Sequence, residues 1–453
     1  MYYCQQGDTF VGVPPVEPTV VAERLDSFRS AVFNEHGYST PVTLDSFVEM
    51  YKGPKKALYA RAVESLSTAP VRRADATSKS FVKVEKGNPS KAPRVIQPRD
   101  PRYNAELGRY IKPIEHTLYQ AIARVFGDGP TVMKGYNLED VAKISRAKWD
   151  SFEDPVAIGL DAKRFDMHVT QELLEGFEHK VYRDIFGWSD RNLAKLLDWQ
   201  VHNRGVGYAD DGSLRYRVDG KRFSGDMNTA LGNCLIMCAM VWSYSKCRRV
   251  NTKLINNGDD CVVFMERKDL PAFSAGLSDW FQDLGFRMTI EEPAYRFEEL
   301  EFCQMHPVNC SGGWRMVRNV RTSLEKDSLC TRPILDYTTL RGWFTAVGDG
   351  GVAVAAGVPI LQEFYQMYLR WGSGVTSRIL ANEVCGMTFL SRGLVKETRE
   401  ITEEARYSFF CAFGILPDTQ LAVEEYFRNL DFEYSEAIEP WDALLGLDDQ
   451  SSI

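Results

Sequence analysis

Two adjacent carboxylates mark one short stretch of the sequence as a site for chemistry. Asp259 and Asp260 end the turn-prone stretch NNGDD, which lies between the apolar runs 254–255 and 261–265. This pattern predicts a β-hairpin with both carboxylates at its tip. Like charges so close repel each other, and a divalent cation such as Mg²⁺, which prefers oxygen ligands, would relieve that repulsion. A solvated Asn/Asp-rich turn is the alternative, because Gly-Asp-Asp arises by chance in roughly one chain in ten of this length.

A second pair of carboxylates follows a predicted buried strand. Residues 156–160 are apolar, and Asp161 ends that run. Asp166 comes five residues later, at or near the N-cap of a helix predicted from Met167 onward. Each Asp also has a purely structural interpretation, since Asp commonly ends strands and caps helices.

A polar pair interrupts a third, mostly apolar segment. Ser224 and Gly225 form a flexible turn, and residues 228–244 have the composition of a buried helix. Thr229 and Asn233 are four residues apart and therefore share one helical face. Polar groups on a buried helix need partners, which are supplied either by the core or by a ligand.

Positive charge is concentrated in one part of an acidic protein. The chain has a formal net charge of -8, yet residues 51–110 contain 14 Lys and Arg against five Asp and Glu. Pro93, Pro98 and Pro101 are expected to hold the end of this segment, residues 91–104, extended, so its cations would lie on a stiff arm suited to phosphate groups. The cations of interest are Lys83, Lys86, Lys91, Arg94 and Arg99. A solvated charged loop is the alternative.

Length and composition describe an ordinary globular protein. The 453 residues are 44% hydrophobic and 26% charged, which predicts two or three subdomains. No apolar run reaches the 18 residues that span a bilayer, and the N-terminus lacks a signal-peptide pattern, so we expect membrane attachment only through another chain or a missing segment. Ten scattered cysteines without CxxC pairs indicate a reducing compartment and no structural zinc.

The segments occur in an order that is typical of one enzyme family. The sequence resembles the RNA-dependent RNA polymerases of positive-strand RNA viruses, most closely the tombusvirus-like group. The resemblance is carried by FVKVEK (81–86), residues 92–116, DAKRFD (161–166), SGDMNTALGN (224–233), NGDD (257–260) and EFCQ (301–304).

The resemblance implies an α+β right hand of fingers, an antiparallel-sheet palm and a mainly helical thumb. Residues 1–150 would be an N-terminal segment and fingers, with the basic nucleotide-entry arm at about 81–112. Residues 151–310 would be the palm, with an inserted fingers portion at about 186–222. Residues 311–453 would be the thumb and an acidic tail, and clear helices are predicted there at 335–343, 360–371 and 404–413.

The same resemblance implies roles for individual residues. Asp161 and Asp259 would bind two Mg²⁺ or Mn²⁺ ions about 3.5–4 Å apart for nucleotidyl transfer, with Asp260 as an auxiliary ligand. Asp166, Thr229 and Asn233 would recognise the ribose. Ser224 and Gly225 would lie in the flexible loop beside the template and the incoming nucleotide. Lys91 and Arg94 would meet the triphosphate, and Lys83, Lys86 and Arg99 are weaker candidates for template or nucleotide charge. The primer-gripping turn would contain Phe302, Cys303 and Gln304, although the first two are equally suited to packing.

One departure from the family concerns the general acid. Related polymerases often have a Lys, proposed as general acid for the pyrophosphate, in the segment after the GDD hairpin. In this sequence residues 285–300 contain only Arg287 and Arg296 as basic residues. Arginine stays protonated and is a poor proton donor, so the acid stays unassigned.

The implied ligands are an RNA template, the nascent strand and NTPs, and the implied partner is a membrane-anchored viral replication protein. The expected location is the host cytoplasm, at membrane-associated replication complexes reached through that partner or a missing upstream segment. Two alternatives remain, a reverse transcriptase-like polymerase and a non-catalytic RNA-binding replicase subunit. A ribose-recognising Asn233 argues against the first, and the retained aspartates argue against the second.

Overall fold

The computed structural model describes residues 4–7, 9–86, 92–331, 334, 336–375 and 390–433, which form a mixed fold of helices and mainly antiparallel sheets. Two compact units are present. The first comprises Met1–Val308 with Trp314–Arg318, and the second comprises Asn309–Gly313 with Asn319–Ile453. This agrees with the predicted α+β class.

The strands and helices are numbered in chain order. The strands are β1 (Cys4–Gln6), β2 (Thr9–Val11), β3 (Ser78–Val82), β4 (Val95–Ile96), β5 (Pro155–Ala162), β6 (His202–Ala209), β7 (Gly212–Asp219), β8 (Lys253–Asn257), β9 (Asp260–Glu266), β10 (Met288–Ile290), β11 (Met305–Cys310) and β12 (Gly313–Arg318). The helices of the first unit are α1 (Pro18–His36), α2 (Leu44–Glu49), α3 (Gly53–Thr68), α4 (Pro101–Phe126), α5 (Leu138–Trp149), α6 (Phe165–His168), α7 (Gln171–Leu173), α8 (His179–Phe186), α9 (Arg191–Val201), α10 (Thr229–Arg248), α11 (Leu270–Ser274) and α12 (Leu277–Gln282). Those of the second unit are α13 (Val320–Asp327), α14 (Tyr337–Val354), α15 (Leu361–Trp371), α16 (Glu403–Phe413) and α17 (Pro417–Asn429).

The central sheet has the strand order β10-β5-β9-β8, with every neighbouring pair antiparallel. Its two long inner strands are apolar and buried, as predicted for 156–160 and 261–265. Side chains pack on both faces of these strands, and a shift of the register by one residue would exchange the side chains on the two faces and disrupt that packing. The polar residues at the ends of these strands are therefore held in fixed positions.

Helix α10 lies at the centre of the hydrophobic core. Its residues from Leu231 to Val241 are all buried, and it packs against α1 and α4. A helix that is apolar all round is stable only inside a protein, so α10 is a rigid support for its few polar residues. The predicted helix 228–244 is confirmed and extends one turn further.

A second four-stranded sheet has the order β4-β3-β6-β7. Strand β3 runs parallel to β6, and the other neighbours are antiparallel. Most residues of the β6–β7 hairpin are exposed. The sequence indicated only a charged, aromatic connection here.

Between strands β5 and β6, helices α7 and α8 are joined by a π-helical turn, Leu174–Glu178. Such turns contain one residue more than an α-helical turn and are frequent at functional sites. This turn ends at Glu178, which is fully buried.

Two local predictions were wrong. The apolar segment 272–286 was expected to be one amphipathic helix, but Gly276, at φ 74°, separates α11 from α12. The strand-like stretch 300–305 is a tight turn, because Cys303 and Gln304 have φ values of 53° and 63°. A bridge between Phe302 and Met305 closes this turn.

The second unit is mainly helical in its described part, and α15 packs against α14 and α17. Its helices confirm the predicted segments 360–371 and 404–413 within a residue or two. Helix α14 is longer than the predicted 335–343. Within the described ranges, no helix is both long enough and apolar enough to traverse a lipid bilayer.

Candidate active site

The carboxylates singled out in the sequence meet at one edge of the central sheet. Leu160 pairs with Cys261 in the β5–β9 ladder, and continuing that antiparallel register places Asp161 opposite Asp260. Asp161 and Asp260 are exposed although the strands behind them are buried. Two residues 99 positions apart are thus neighbours because the strand register is fixed.

The turn that presents Asp259 depends on Gly258 and Asn256. Asn257 pairs with Asp260, leaving Gly258 and Asp259 as a two-residue loop. Gly258 has φ 95°, as required at the first loop position of a type II′ turn. The buried Asn256 side chain accepts a hydrogen bond from Gly258 N (3.1 Å) and donates one to Gly258 O (2.8 Å). The turn is therefore braced from beneath.

Negative charge is crowded at this edge. Partial desolvation, with repulsion from Asp259 and Asp161, raises the pKa of Asp260. Lys134 Nζ donates a hydrogen bond to Asn257 Oδ1 (2.8 Å), and the charge of Lys134 opposes that rise in the pKa of Asp260. One lysine therefore offsets only part of the charge of three carboxylates.

The donor chemistry of this edge fits a hard divalent cation. Within the part of the chain that the structure describes, no set of three His, Cys, Asp or Glu side chains is gathered closely enough to form a complete metal site. Asp161, Asp259 and Asp260 nevertheless supply carboxylate oxygens, the ligands that Mg²⁺ and Mn²⁺ prefer. Burial is the main cause of the raised pKa of Asp260, and the negative charges of Asp259 and Asp161, which raise it further, are ones that a cation would neutralise.

Asp166 and Asn233 are also brought together. Asn233 Nδ2 donates to Asp166 Oδ1 (2.8 Å), and its Oδ1 accepts from Arg222 Nε (3.1 Å). Because Arg222 is only a donor, this contact fixes which end of the amide faces Asp166. Burial raises the pKa of Asp166, with a smaller contribution from the nearby charge of Asp259. Asp166 lies in the first turn of α6 and is not its N-cap, which is Arg164.

Arg222 is itself held by a buried carboxylate. Glu178 forms an ion pair with Arg222 and accepts hydrogen bonds from Asn228 Nδ2 (2.6 Å) and Tyr182 OH (2.8 Å). Burial alone would raise the pKa of Glu178, but the charge of Arg222 outweighs it and lowers that pKa. A Cβ at Gly232 would collide with both partners, so this glycine allows the pair to approach α10 closely.

The Ser224–Gly225 turn is tied to the basic arm. Gln97 N donates to Ser224 Oγ (3.3 Å), and Gly225 forms a bridge with Pro98. A Cβ at Gly225 would lie 2.5 Å from Pro98 Cα, so glycine is needed here for close approach to the arm. Thr229 does not face Asn233 with its hydroxyl, which donates to Phe223 O (2.7 Å) and closes the turn.

The predicted basic residues have different surroundings. Lys83 and Arg94 are exposed, and both contact Glu85, at 2.7 Å and 3.4 Å. Lys86 is half-buried and Lys91 lies outside the described residues. The carboxylate partner of Lys83 and Arg94 is therefore Glu85, and not one of the aspartates of the candidate site.

Arg99 is a correction, because the prediction placed it against template or nucleotide. Its side chain is fully buried, forms an ion pair with Asp226 and donates to Ala76 O (2.7 Å) and Asn203 Oδ1 (2.6 Å). A guanidinium engaged in this way is not accessible to a phosphate. Arg99 instead joins the arm to the Ser224–Gly225 turn, since Asp226 follows that turn directly.

The predicted primer-gripping turn lies beside the carboxylate hairpin. Asn257 Nδ2 donates to Cys303 Sγ (3.3 Å), and burial together with the charge of Asp260 raises the pKa of the Cys303 thiol to about 12. Phe302 is 3% exposed and packs in the core. Of the two roles left open for Phe302, the structure favours packing.

Several residues of this site were not identified from the sequence. Lys134, Glu178, Arg222 and Asn256 each act through a partner that is distant in sequence or beneath a turn. The sequence gives only weak indications of a functional role for two of them. Lys134 is next to a glycine, Gly135, and Arg222 directly precedes Phe223–Ser224–Gly225.

Comparison with known proteins agrees with this geometry. The model of the family described as viral RNA dependent RNA polymerase matches residues 2–435. The chain is 45% identical over 406 residues to the RNA-directed RNA polymerase of cucumber necrosis virus, covering 89% of this chain and 49% of that protein. It is 45% identical over 414 residues to that of tomato bushy stunt virus (strain Cherry), covering 90% and 50%.

A further relative is the RNA-directed RNA polymerase of turnip crinkle virus, 43% identical over 417 residues, with 90% of this chain and 53% of that protein covered. The chain spans about half the length of these relatives. Since the family match extends over nearly all of the sequence, the chain belongs to the viral RNA-dependent RNA polymerase family.

Proposed function

We propose that this chain synthesises RNA on an RNA template by two-metal nucleotidyl transfer and so replicates the genome of a positive-strand RNA virus. The observation that carries the proposal is the placement of Asp161 opposite Asp260, beside the turn that presents Asp259. Because the two neighbouring strands are buried, the carboxylates at their ends are held at a fixed separation, as ligands of two cations must be.

Asp161 and Asp259 are the proposed essential metal ligands, with Asp260 as an auxiliary ligand. Two bound Mg²⁺ or Mn²⁺ ions would supply activation of the attacking 3′-hydroxyl and neutralisation of the leaving pyrophosphate. The hairpin turn, held by Asn256, keeps Asp259 and Asp260 in place, and the positive charge of Lys134 reduces the repulsion between their carboxylates. These residues thus contribute position and charge.

Ribose recognition is proposed for Asp166 and Asn233. A 2′-hydroxyl both donates and accepts hydrogen bonds, so a carboxylate and an amide side by side match it. Arg222 fixes the direction of the amide, and Glu178 keeps Arg222 in place. Ser224, Gly225 and Thr229 form the neighbouring loop, whose contact with the arm would link template position to sugar recognition.

The central sheet with α10 corresponds to the proposed palm, the second sheet with the basic arm to fingers, and the helical second unit to a thumb. Lys83, Lys86, Lys91 and Arg94 are the proposed contacts to triphosphate and RNA, and Cys303 and Gln304 to the primer. The proposed setting is the host cytoplasm, at membrane-associated replication complexes where a membrane-anchored viral replication protein is the partner.

Synthesis of complementary RNA tests this proposal. Purified protein, an RNA template, the four NTPs and Mg²⁺ or Mn²⁺ should give labelled product, and Asp259→Ala should abolish it because an essential metal ligand is lost. The matched control is Asp279→Ala, an exposed Asp on α12 that should leave synthesis unchanged. Mn²⁺ should also raise the melting temperature of the parent protein but not of Asp259→Ala. Continued synthesis by Asp259→Ala would show that the chemistry lies elsewhere.

Sugar selection gives a second test. Asn233→Ala should reduce the preference for NTPs over dNTPs by about tenfold, the value of one hydrogen bond to the 2′-hydroxyl. Ser243→Ala, a buried polar change in the same helix, should leave the preference unchanged. A parent enzyme that prefers dNTPs would favour a reverse transcriptase, and an unchanged Asn233→Ala ratio would remove this residue from ribose recognition.

A further inference from the structure

The second sheet has two faces with different chemistry. Its strand pairing places Arg204 opposite Arg217, and Val206 between Arg215 on one side and Lys79 on the other. These residues, with Phe81 and Tyr208, therefore point to the same side of the sheet. We name this side the outer basic face, and it comprises Lys79, Phe81, Arg204, Val206, Tyr208, Arg215 and Arg217.

The opposite side of the sheet is the one joined to the candidate active site. Tyr216, which lies over Gly205, shares hydrogen bonds with Ser80 Oγ (2.7 Å) and Gln97 Nε2 (3.0 Å). The backbone of Gln97 in turn contacts Ser224 (3.3 Å). The outer basic face thus points away from the Ser224–Gly225 turn, and the catalytic proposal assigns it no role.

The cations of the outer basic face form no ion pair with a carboxylate among the described residues, although Asp219 lies at the end of the same face beside His202. Lys79, Arg204, Arg215 and Arg217 are all exposed, and no Asp or Glu oxygen in the described ranges lies within 4.0 Å of their charged groups. By contrast, His202 at the end of the same hairpin contacts Asp219 at 2.9 Å. Like charges directly opposite each other on antiparallel strands are destabilising. An anion bound between Arg204 and Arg217 would remove that penalty.

Two large aromatic rings continue this basic surface. Tyr208 is 74% exposed and Phe81 is 52% exposed, and extension of the β3–β6 register makes them neighbours. A cavity of about 440 Å³ lies against the strands, and its lining includes Arg204, Tyr208, Arg215 and Arg217 of this face together with Gly205 and Tyr216. From the Arg204–Arg217 pair to Tyr208 the strand extends about 13 Å, so phosphate groups and an adjacent base could be contacted together.

We propose that the outer basic face binds single-stranded RNA, with the phosphates on Arg204, Arg215 and Arg217 and a base stacked on Tyr208. Positive charge interleaved with exposed aromatic rings is the arrangement by which proteins bind single strands, because an unpaired base leaves its π-face free. A duplex would engage the cations but not the rings. This inference takes RNA as the ligand from the proposed function, but its test measures binding without synthesis.

Binding is to be measured in an Asp259→Asn background, so that its result is separate from catalysis. The probe is a labelled uridine oligomer of about 12 nucleotides, titrated by fluorescence anisotropy at several salt concentrations. Replacing Arg204, Arg215 and Arg217 together by Gln should weaken binding at least about tenfold and reduce the slope of log K against log salt by about 2. These side chains are exposed, so the melting temperature should stay near that of the parent.

The matched control removes the same charge elsewhere on the first unit. Lys56, Arg124 and Arg146 are each paired with a carboxylate, and their triple replacement by Gln should leave binding within about twofold of the parent. Equal weakening in both triple variants would mean non-specific attraction and would overturn the proposal.

The aromatic ring distinguishes the kind of ligand. Tyr208→Ala should weaken binding of the single strand about tenfold, with no change in salt slope, and should not affect an RNA duplex of equal length. If Tyr208→Ala has no effect, or if polyglutamate competes as well as the uridine oligomer, the surface binds a duplex or an acidic protein segment and the proposal is wrong.

Discussion

The two four-stranded sheets of the first unit place charge in opposite ways. The central sheet presents carboxylates at the end of strands that are otherwise buried, and the second sheet spreads cations over an exposed face. A buried sheet fixes the position of each side chain at its end, which suits ions that must be held at defined separations. An exposed sheet leaves long side chains mobile, which suits a ligand that varies in sequence. Rigidity and adaptability are thus divided between two sheets that each contain four strands.

The largest expected difference is between the candidate active site and the second sheet, and it comes from equivalent removals of one arginine charge. Arg222→Met would leave Glu178 buried without its partner, which should lower the free energy of unfolding by about 3–5 kcal/mol. Arg217→Met should change it by less than about 1 kcal/mol, in the stabilising direction, because it relieves repulsion with Arg204. Chemical denaturation of both variants measures the contrast. A similar loss in both would show that the two arginines are in equivalent environments.

The same apolar truncation in each sheet should give a smaller difference. Val263 in β9 is fully buried, and Val263→Ala should cost about 2 kcal/mol of stability. Val206 in β6 is half-buried, and Val206→Ala should cost about 0.5 kcal/mol. Thermal melting of the two variants in parallel provides the measurement, and equal costs would contradict the division into a rigid and an adaptable sheet.

The smallest expected effect is a pH dependence confined to the acidic edge. The folded-state pKa of Asp260 is raised, so the folded protein binds that proton more tightly than the unfolded chain does. Stability is therefore lost as pH rises from about 3.9, the unfolded value, through the raised pKa. Asp260→Asn should be more stable than the parent at pH 7, and the difference should vanish below about pH 4.

The control for this prediction lies in the second sheet. Asp211→Asn, in the exposed β6–β7 turn, should show no such pH-dependent gain. Addition of Mg²⁺ at pH 7 should stabilise the parent and reduce the advantage of Asp260→Asn. A gain for Asp260→Asn that is the same at pH 4 and pH 7 would mean that charge is not its cause.

Much of the central sheet and its site could be predicted because local patterns there agree with the fold. Apolar runs around Asp161 and Asp259 identified the strands, and Gly258 identified the turn. The exposed β6–β7 hairpin lacks an apolar face, so hydrophobic alternation could not indicate it. The ion-pair partners of the arginines could not be predicted from the sequence either. Arg99 and Arg94 belong to the same proline-rich arm, yet in the fold Arg99 is buried against Asp226 and Arg94 is exposed.

The strand prediction at 300–305 was wrong because Cys303 and Gln304 have positive φ values. Neither residue type favours the left-handed region, so the turn is imposed by surrounding contacts, among them that of Cys303 with Asn257. The ion pair of Arg222 with Glu178 joins residues 44 positions apart and has no local signature.

The π-helical turn at Leu174–Glu178 has an implication for how this sequence can change. Deleting one of its five residues would restore a regular α-helix, which is the more favourable backbone form. It would also rotate α8 relative to α7 by about 100°, the angle that one residue spans in an α-helix. Glu178 would then leave Arg222 and the amide of Asn233 would lose its fixed direction. A change that improves the helix alone would therefore disrupt the buried network that positions Asn233, and under the proposed function such a change would be selected against.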